Sequence, residues 1–327
     1  MASTCKFYGP LFHIEPDAAA VDIVFVHLLD NDTWSEGKCF WPQEFLKVDL
    51  PEARVFSFSH DDNAMGSKGE ASVNRIADIA NALVLNLWKV RSGAQTTQRP
   101  IILVAHGLDG LVCKQATLLR DSPDPNTKTV ASHIRRIAFF GTPHDQNSQY
   151  PAAFPDSYRK LFGDPQKGIE VLRVLEEGFI RMLPSRDSSS NGLQIVCFFE
   201  KGATSPTGKG PTEKPVVPKA SATILNHPNY PLNGDHTSMC KFKNRENDSY
   251  RKVLEVLQDW MDNLPEPERG SEKVWQNISN GTFTGNYGSM NLNQVIDSNP
   301  QFGTRANFNF SPRQPDNPTT QQPNSDG

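Results

Sequence analysis

The chain has 327 residues, with 33 Lys+Arg against 37 Asp+Glu for a formal net charge of −4, and 37% of it is hydrophobic. That balance argues against a general nucleic-acid or anionic-membrane binder, which needs a basic surface, while the apolar share suffices for a sizeable core. Residues 276–327 hold only five charges (Asp297, Arg305, Arg313, Asp316, Asp326) beside ten Asn and six Gln, so composition excludes two equivalent globular halves.

In chain order, Met1–Pro16 carries one Lys and no apolar run long enough for a signal peptide. The first strand is expected at Asp22–His27 (DIVFVH). It lies in the most apolar stretch, Ala18–Leu29, which Asp22 and His27 interrupt and which is shorter than the ~20 residues of a membrane span. Arg54–Ser59 (RVFSFS) is a second strand, and Val73, Ile76, Ile79, Ala80, Leu83 and Leu87 make a helical stripe. Strand Ile101–Ala105 follows, with a stripe at Leu111, Val112, Ala116 and Leu119, and then strands Ile134–Phe140 and Leu193–Phe199. Gly202–Lys214 (GATSPTGKGPTEK) reads as a mobile loop leading to a strand at Val216–Thr223. Val253, Leu257, Trp260, Met261 and Leu264 mark a last helix, which Pro265 stops. Most of these strands are continuous apolar runs, as in a parallel sheet covered on both faces. Strand–helix alternation then gives an α/β fold with a mostly parallel central sheet flanked by helices over 1–264, a linker at 265–275 and a tail at 276–327. Cys5, Cys39, Cys113, Cys197 and Cys240 are odd in number and scattered, without a CxxC pair. A disulfide framework, a metal site or a cofactor is not expected, and a reducing, cytoplasmic location is.

Ile101–Gln115 (IILVAHGLDGLVCKQ) reads as a buried strand, a sharp turn and an amphipathic helix. α/β hydrolases carry their nucleophile elbow, G-x-S-x-G, at such a place. Here Gly107 stands where the serine would, and Asp109 stands where the second glycine would. The segment resembles the GHSLGGLVVKQ stretch of serine esterase/lipase-like α/β hydrolases, which in fungi head NLR-type immune receptors or stand alone as heterokaryon-incompatibility-type effector proteins. Val21–Trp34 (VDIVFVHLLDNDTW), Trp41–Asp61, Phe139–His144 (FFGTPH) and Asp235–Phe242 (DHTSMCKF) are similar to that family in the same order, over roughly residues 10–264.

The resemblance implies an α/β-hydrolase fold, His236 at the general base's position and Glu200 at that of the acid orienting it. Gly107 then occupies a vacated nucleophile position, for glycine can neither attack a carbonyl nor hold an acyl group. Leu28 and Leu108 fall in the oxyanion-hole region, where Leu28 replaces the glycine of the family's HG turn. Asp109 would set a carboxylate near charge that a transition state makes negative. Cys113, nearly two helical turns on, is expected in the core, and His106 is expected to point elsewhere. Plainer roles stand beside these. Gly107 relieves backbone strain. Asp109 is a helix N-terminal carboxylate. His236 with Glu200 is a structural pair, and His27 and His144 hold loops. A water activated by His236 would make a weak hydrolase.

The tail stretch Trp275–Phe310 interleaves Asn, Gln, Gly and Ser with Phe283, Tyr287, Phe302, Phe308 and Phe310. It lacks the apolar mass for a core and is expected to be disordered when free. Asn/Gln ladders, stacked aromatics and low charge favour cross-β assembly. The stretch resembles the amyloid signalling motifs of fungal effector domains and their NLR partners; the plain alternative is an inert solvated tail. Ser311–Gly327, with four prolines, is expected to stay disordered. Together these readings point to a non-catalytic signalling or binding module. Its implied partners are an NLR-type receptor, like tails joined by templating, and an acyl or lipid ligand. An atypical acyl hydrolase and a plain small-molecule binder are the alternatives.

Overall fold

A computed structural model describes residues 5–11, 19–28, 33–60, 75–93, 96–144, 165–183, 192–202, 215–264, 282–285 and 288–291. Nine strands fall in its first part: β1 (Cys5–Tyr8), β2 (Val21–Leu28), β3 (Ser35–Glu36), β4 (Cys39–Phe40), β5 (Ala53–His60), β6 (Ile101–His106), β7 (Ile134–Phe140), β8 (Gln194–Glu200) and β9 (Asn229–Leu232). Seven of them form one sheet in the order β1-β5-β2-β6-β7-β8-β9, and β3 pairs with β4 as a separate ribbon. Every neighbouring pair in the large sheet is parallel except β1 with β5.

The helices are α1 (Trp41–Glu44), α2 (Leu46–Asp49), α3 (Arg75–Gly93), α4 (Asp109–Leu118), α5 (Pro125–Ser132), α6 (Pro165–Met182), α7 (Lys219–Ala222) and α8 (Asp248–Asp262). Successive strand side chains alternate between faces, so the apolar runs feed two cores at once. Val24, Val26, Leu103, Ala105, Ile137, Phe139 and Cys197 pack with α3–α6. Ile23, Phe25, Ile102, Val104, Ala138, Phe140 and Phe198 pack with α1, α2 and α8. An α/β-hydrolase fold with helices on both faces is the result, and the strand order together with the β6–turn–α4 unit defines it.

Several expectations change. Val216–Thr223 is not a strand: Pro218 cannot donate to a ladder, and the segment turns into the one-turn α7. The strand lies later, at β9, on the sheet's edge, where Pro231 is tolerated. β1 and α6 had no counterpart in the sequence reading. Leu119 opens a 3₁₀ turn, Leu119–Asp121, rather than extending α4. Val73, 203–214 and 265–275 lie outside the described residues. Compactness divides the chain into Met1–Pro267 and Glu268–Gly327. In the second unit, β10 (Thr282–Gly285) pairs antiparallel with β11 (Gly288–Asn291), and the rest of that unit lies outside the described residues. No helix among the described residues is long and apolar enough to cross a membrane.

Candidate functional site

Between β6 and α4 the chain reverses through Gly107, at φ +58°, a left-handed conformation that glycine adopts without a Cβ penalty. Its N–H donates to the Phe140 carbonyl at 2.8 Å, tying the turn to the end of β7. α4 begins at once, with Gly110 N–H donating to Gly107 O and Leu111 N–H to Leu108 O. Packing here is close: a Cβ added at Gly110 would lie 2.2 Å from Thr142 Oγ1. Thr142 is fully buried, and its hydroxyl has no hydrogen-bond partner among the described residues. Asp109 is buried in the first turn of α4, where its charge and, above all, burial push the Cys113 thiol well above its usual pKa. Cys113 is in the core, as expected for an inert thiol.

His236 comes from the turn after β9. Asp235 shapes that turn: its Oδ1 accepts the N–H of Thr237 at 3.0 Å and of Ser238 at 2.8 Å, and also the Ser238 hydroxyl at 2.7 Å. Hydrogen bonding by Ser238 leads in holding the Asp235 carboxyl below its usual range. Farther along the turn, the Trp41 indole N–H donates to the Cys240 carbonyl at 2.9 Å, and Cys240 Sγ donates to Thr33 O at 3.1 Å. Met239, Cys240 and Phe242 are buried beneath.

The His236 ring is clamped. On one side lies Gly141, at φ +57°, whose absent Cβ would come within 2.9 Å of the imidazole. On the other lies His106, with ring centroids 4.6 Å apart and planes tilted by 39°. His106 does point away from any attacking role, but toward His236. Its Nε2 lies 2.8 Å from the His236 carbonyl, which can only accept, so Nε2 carries the proton and donates. Burial, then the neighbouring His236, depress the His106 pKa to about 3 and keep it neutral.

Glu200 ends β8, buried. Its Oε1 lies 3.7 Å from His236 Nδ1, beyond hydrogen-bond reach, and accepts the Val217 N–H at 2.8 Å. Glu200, His236 and the Gly107 turn thus meet at the C-terminal end of the sheet, where ligands bind in open α/β folds. Of the oxyanion-region residues, Leu108 is buried and Leu28 closes β2; the Leu28 side chain and residues 29–32 lie outside what the structure describes.

Sequence reasoning missed Trp34. This residue is fully buried, with its ring 5.2 Å from Phe25, 6.0 Å from Trp41, 5.4 Å from Phe140 and 6.4 Å from His106. It was visible in the VDIVFVHLLDNDTW segment, yet nothing in one dimension places it against the elbow. His27 and His144 serve the sheet rather than the site: His27 Nε2 lies 2.9 Å from Ser57 Oγ, and the His144 N–H donates to Ser221 O at 2.7 Å. His144 Nε2 is 3.6 Å from Cys197 Sγ; burial first, then the charge of Lys114, pushes its pKa well down. Buried Lys114 itself pairs with Glu176 of α6. Among the described residues, no group of His, Cys, Asp or Glu is arranged to hold a metal ion.

No family model matches this sequence. It is similar to Protein SERAC1 of Danio rerio, 26% identical over 265 residues that cover 73% of this chain and 39% of that one. With Protein SERAC1 of Homo sapiens it is 27% identical over 229 residues, 67% of this chain and 33% of the relative. The chain therefore spans about a third of the length of the curated relatives it matches. Among solved structures, native Est2 esterase from Thermogutta terrifontis aligns with a TM-score of 0.45 and 14% identity, covering 81% of this chain and 89% of that one. The thioesterase domain of NocB aligns with a TM-score of 0.38 and 12% identity, covering 79% and 99%.

Proposed function

We propose that this chain is a pseudo-esterase, an α/β-hydrolase-fold module that binds an acyl or lipid ligand where an esterase would turn one over. The observation that carries this reading is Gly107 at the apex of the elbow, with His236 and Glu200 buried beside it. An acid–base pair without a nucleophile can hold and polarise a carbonyl compound but forms no acyl-enzyme. Asp109, buried in the first turn of α4, further opposes an oxyanion there. Its resemblance to fungal effector-domain hydrolases supports a role in immune-type or incompatibility signalling, with an NLR-type receptor as partner. Low charge and the Asn/Gln-rich, aromatic-spaced tail support assembly with like tails.

Short p-nitrophenyl esters test the site. The natural protein is expected to give no turnover above buffer, and Gly107→Ser to gain it. Turnover by the natural protein that disappears in His236→Ala would overturn the reading in favour of an atypical hydrolase. For the tail, a 275–310 peptide is expected to form thioflavin-positive fibres; one that stays monomeric for days at high concentration removes the assembly role.

A further inference from the structure

The sheet edge opposite β1 carries a cleft of about 370 Å³ between β9 and α8. Val196 of β8, Tyr230 of β9 and Trp260 of α8 line it together with Lys252, Glu255 and Asp259. Cavities of this order hold small organic ligands.

The charges on this part of α8 work against the helix that carries them. Glu255 and Asp259 are like-charged neighbours at i,i+4. Asp259 and Asp262 stand in the last turn, where the helix dipole disfavours anions and no basic residue is present. Lys252 answers only part of this, its Nζ donating to Glu255 Oε2 at 2.5 Å. The Asp259 carboxylate accepts from Asn263 Nδ2 at 3.2 Å and forms no ion pair among the described residues. Buried Arg136 feels the Asp259 charge but directs Nη1 and Nη2 to the carbonyls of Arg135, Gly192 and Asn263. Local choices that oppose the fold in this way concentrate at functional sites.

The cleft also shows what it can hold. The Lys252 ammonium lies 5.2 Å from the centre of the Tyr230 ring, a cation–π contact. An ammonium from outside the chain would meet the same ring and the Asp259 carboxylate, with Val196 and Trp260 beside its apolar body. An anion would face two carboxylates instead. An extended peptide finds no ladder to continue: Pro228 O and Leu232 O accept from β8, so Asn229 and Pro231 face the open edge, and Pro231 has no N–H to offer.

We propose that this cleft binds a small organic ammonium compound with an apolar body, and that Lys252 is its built-in competitor. The site shares no residue with the Gly107 elbow and stands or falls independently of it.

The test titrates the full chain with benzylamine, benzyl alcohol and benzoate at neutral pH, following backbone amides in a ¹H–¹⁵N spectrum. Benzylamine, present as its cation, is expected to move the amides of α8 and β9, with benzyl alcohol about tenfold weaker and benzoate without effect. Asp259→Asn should weaken benzylamine about fivefold. Lys252→Met, which keeps the apolar stem and removes the competing charge, should tighten it about threefold. Both positions are on the helix surface, and an unchanged urea midpoint confirms that each variant folds. Equal binding of benzylamine and benzyl alcohol, weaker binding by Lys252→Met, or amides unmoved at millimolar benzylamine overturns the proposal. Tighter binding of Nα-acetyl-lysine methylamide than of benzylamine overturns the small-molecule assignment in favour of a lysine side chain of another protein.

Discussion

At the N-terminal end of the sheet, where β2, β5 and β6 begin, Asp22 is fully buried among Arg54, Arg91 and Arg99. Arg54 Nε reaches Asp22 Oδ1 at 2.7 Å, and its Nη2 reaches Oδ2 and Thr96 Oγ1, both at 2.9 Å. Arg91 donates through Nη1 to Asp22 at 2.5 Å and through Nη2 to the carbonyls of Thr97 and Arg99. At the C-terminal end, Trp34 and Thr142 are just as buried, yet neither side chain has a partner among the described residues. One end uses nearly all its polar capacity on holding α3 and three strand starts together; the other leaves the Trp34 indole and the Thr142 hydroxyl without a hydrogen bond among the described residues. The two ends of the sheet thus differ more clearly in hydrogen-bond saturation than in burial.

The largest expected effect falls at the saturated end. Asp22→Ala leaves buried guanidiniums facing one another without a counter-charge and should cost about 3–5 kcal/mol in urea unfolding. A loss below about 1 kcal/mol would break the contrast. At the other end, Gly141→Ala should cost about 1–3 kcal/mol, through a left-handed alanine and a Cβ pressed on the His236 ring. It should also abolish any activity that Gly107→Ser gains, and retained activity would show that His236 does not need its clamp. The smallest effect is a proton. The folded pKa of His106, about 3, lies below its ordinary 6.5. As pH falls from about 6.5 toward 3, the unfolded chain therefore takes up a proton that the folded chain refuses, and stability drops. His144 contributes in the same direction. His106→Gln keeps a donor near Nε2 but removes one titrating group, so the urea midpoint should fall less steeply over that interval. An unchanged slope would mean that His106 titrates when folded.

The fold was legible wherever burial was two-sided. β2, β5, β6, β7 and β8 are apolar runs that any reading of the sequence finds. The edges were not. NYPL at β9 looks unlike a strand because Pro231 and the exposed flank answer to solvent rather than to a core, and VVPKASAT looked β-branched until Pro218 closed it. α6 shows plain spacing in Leu172, Leu175 and Phe179, but it follows a stretch of Gly, Pro and Asp that obscures its start. The family resemblance, together with chain order, placed Gly107, Glu200 and His236 as candidates. It could not give the 3.7 Å gap between Glu200 and His236, which depends on where Val217 draws the carboxylate. Nor could it reveal an unpaired indole, because pairing is a property of neighbours distant in the chain.

The bond from the Trp41 indole to the Cys240 carbonyl joins residues 199 positions apart. Contacts of such separation close late, since the intervening chain must first lose its freedom. During synthesis the early strands emerge well before residue 240, so the turn that carries His236 has nothing to dock against until most of the sheet exists. A chain interrupted before that turn would keep the residues of the ionic cluster around Asp22 and of the core under α3–α6, but would lack His236 and all of α8, which covers the other face. The order of translation thereby places the His236 turn and α8 after the strands on which they pack.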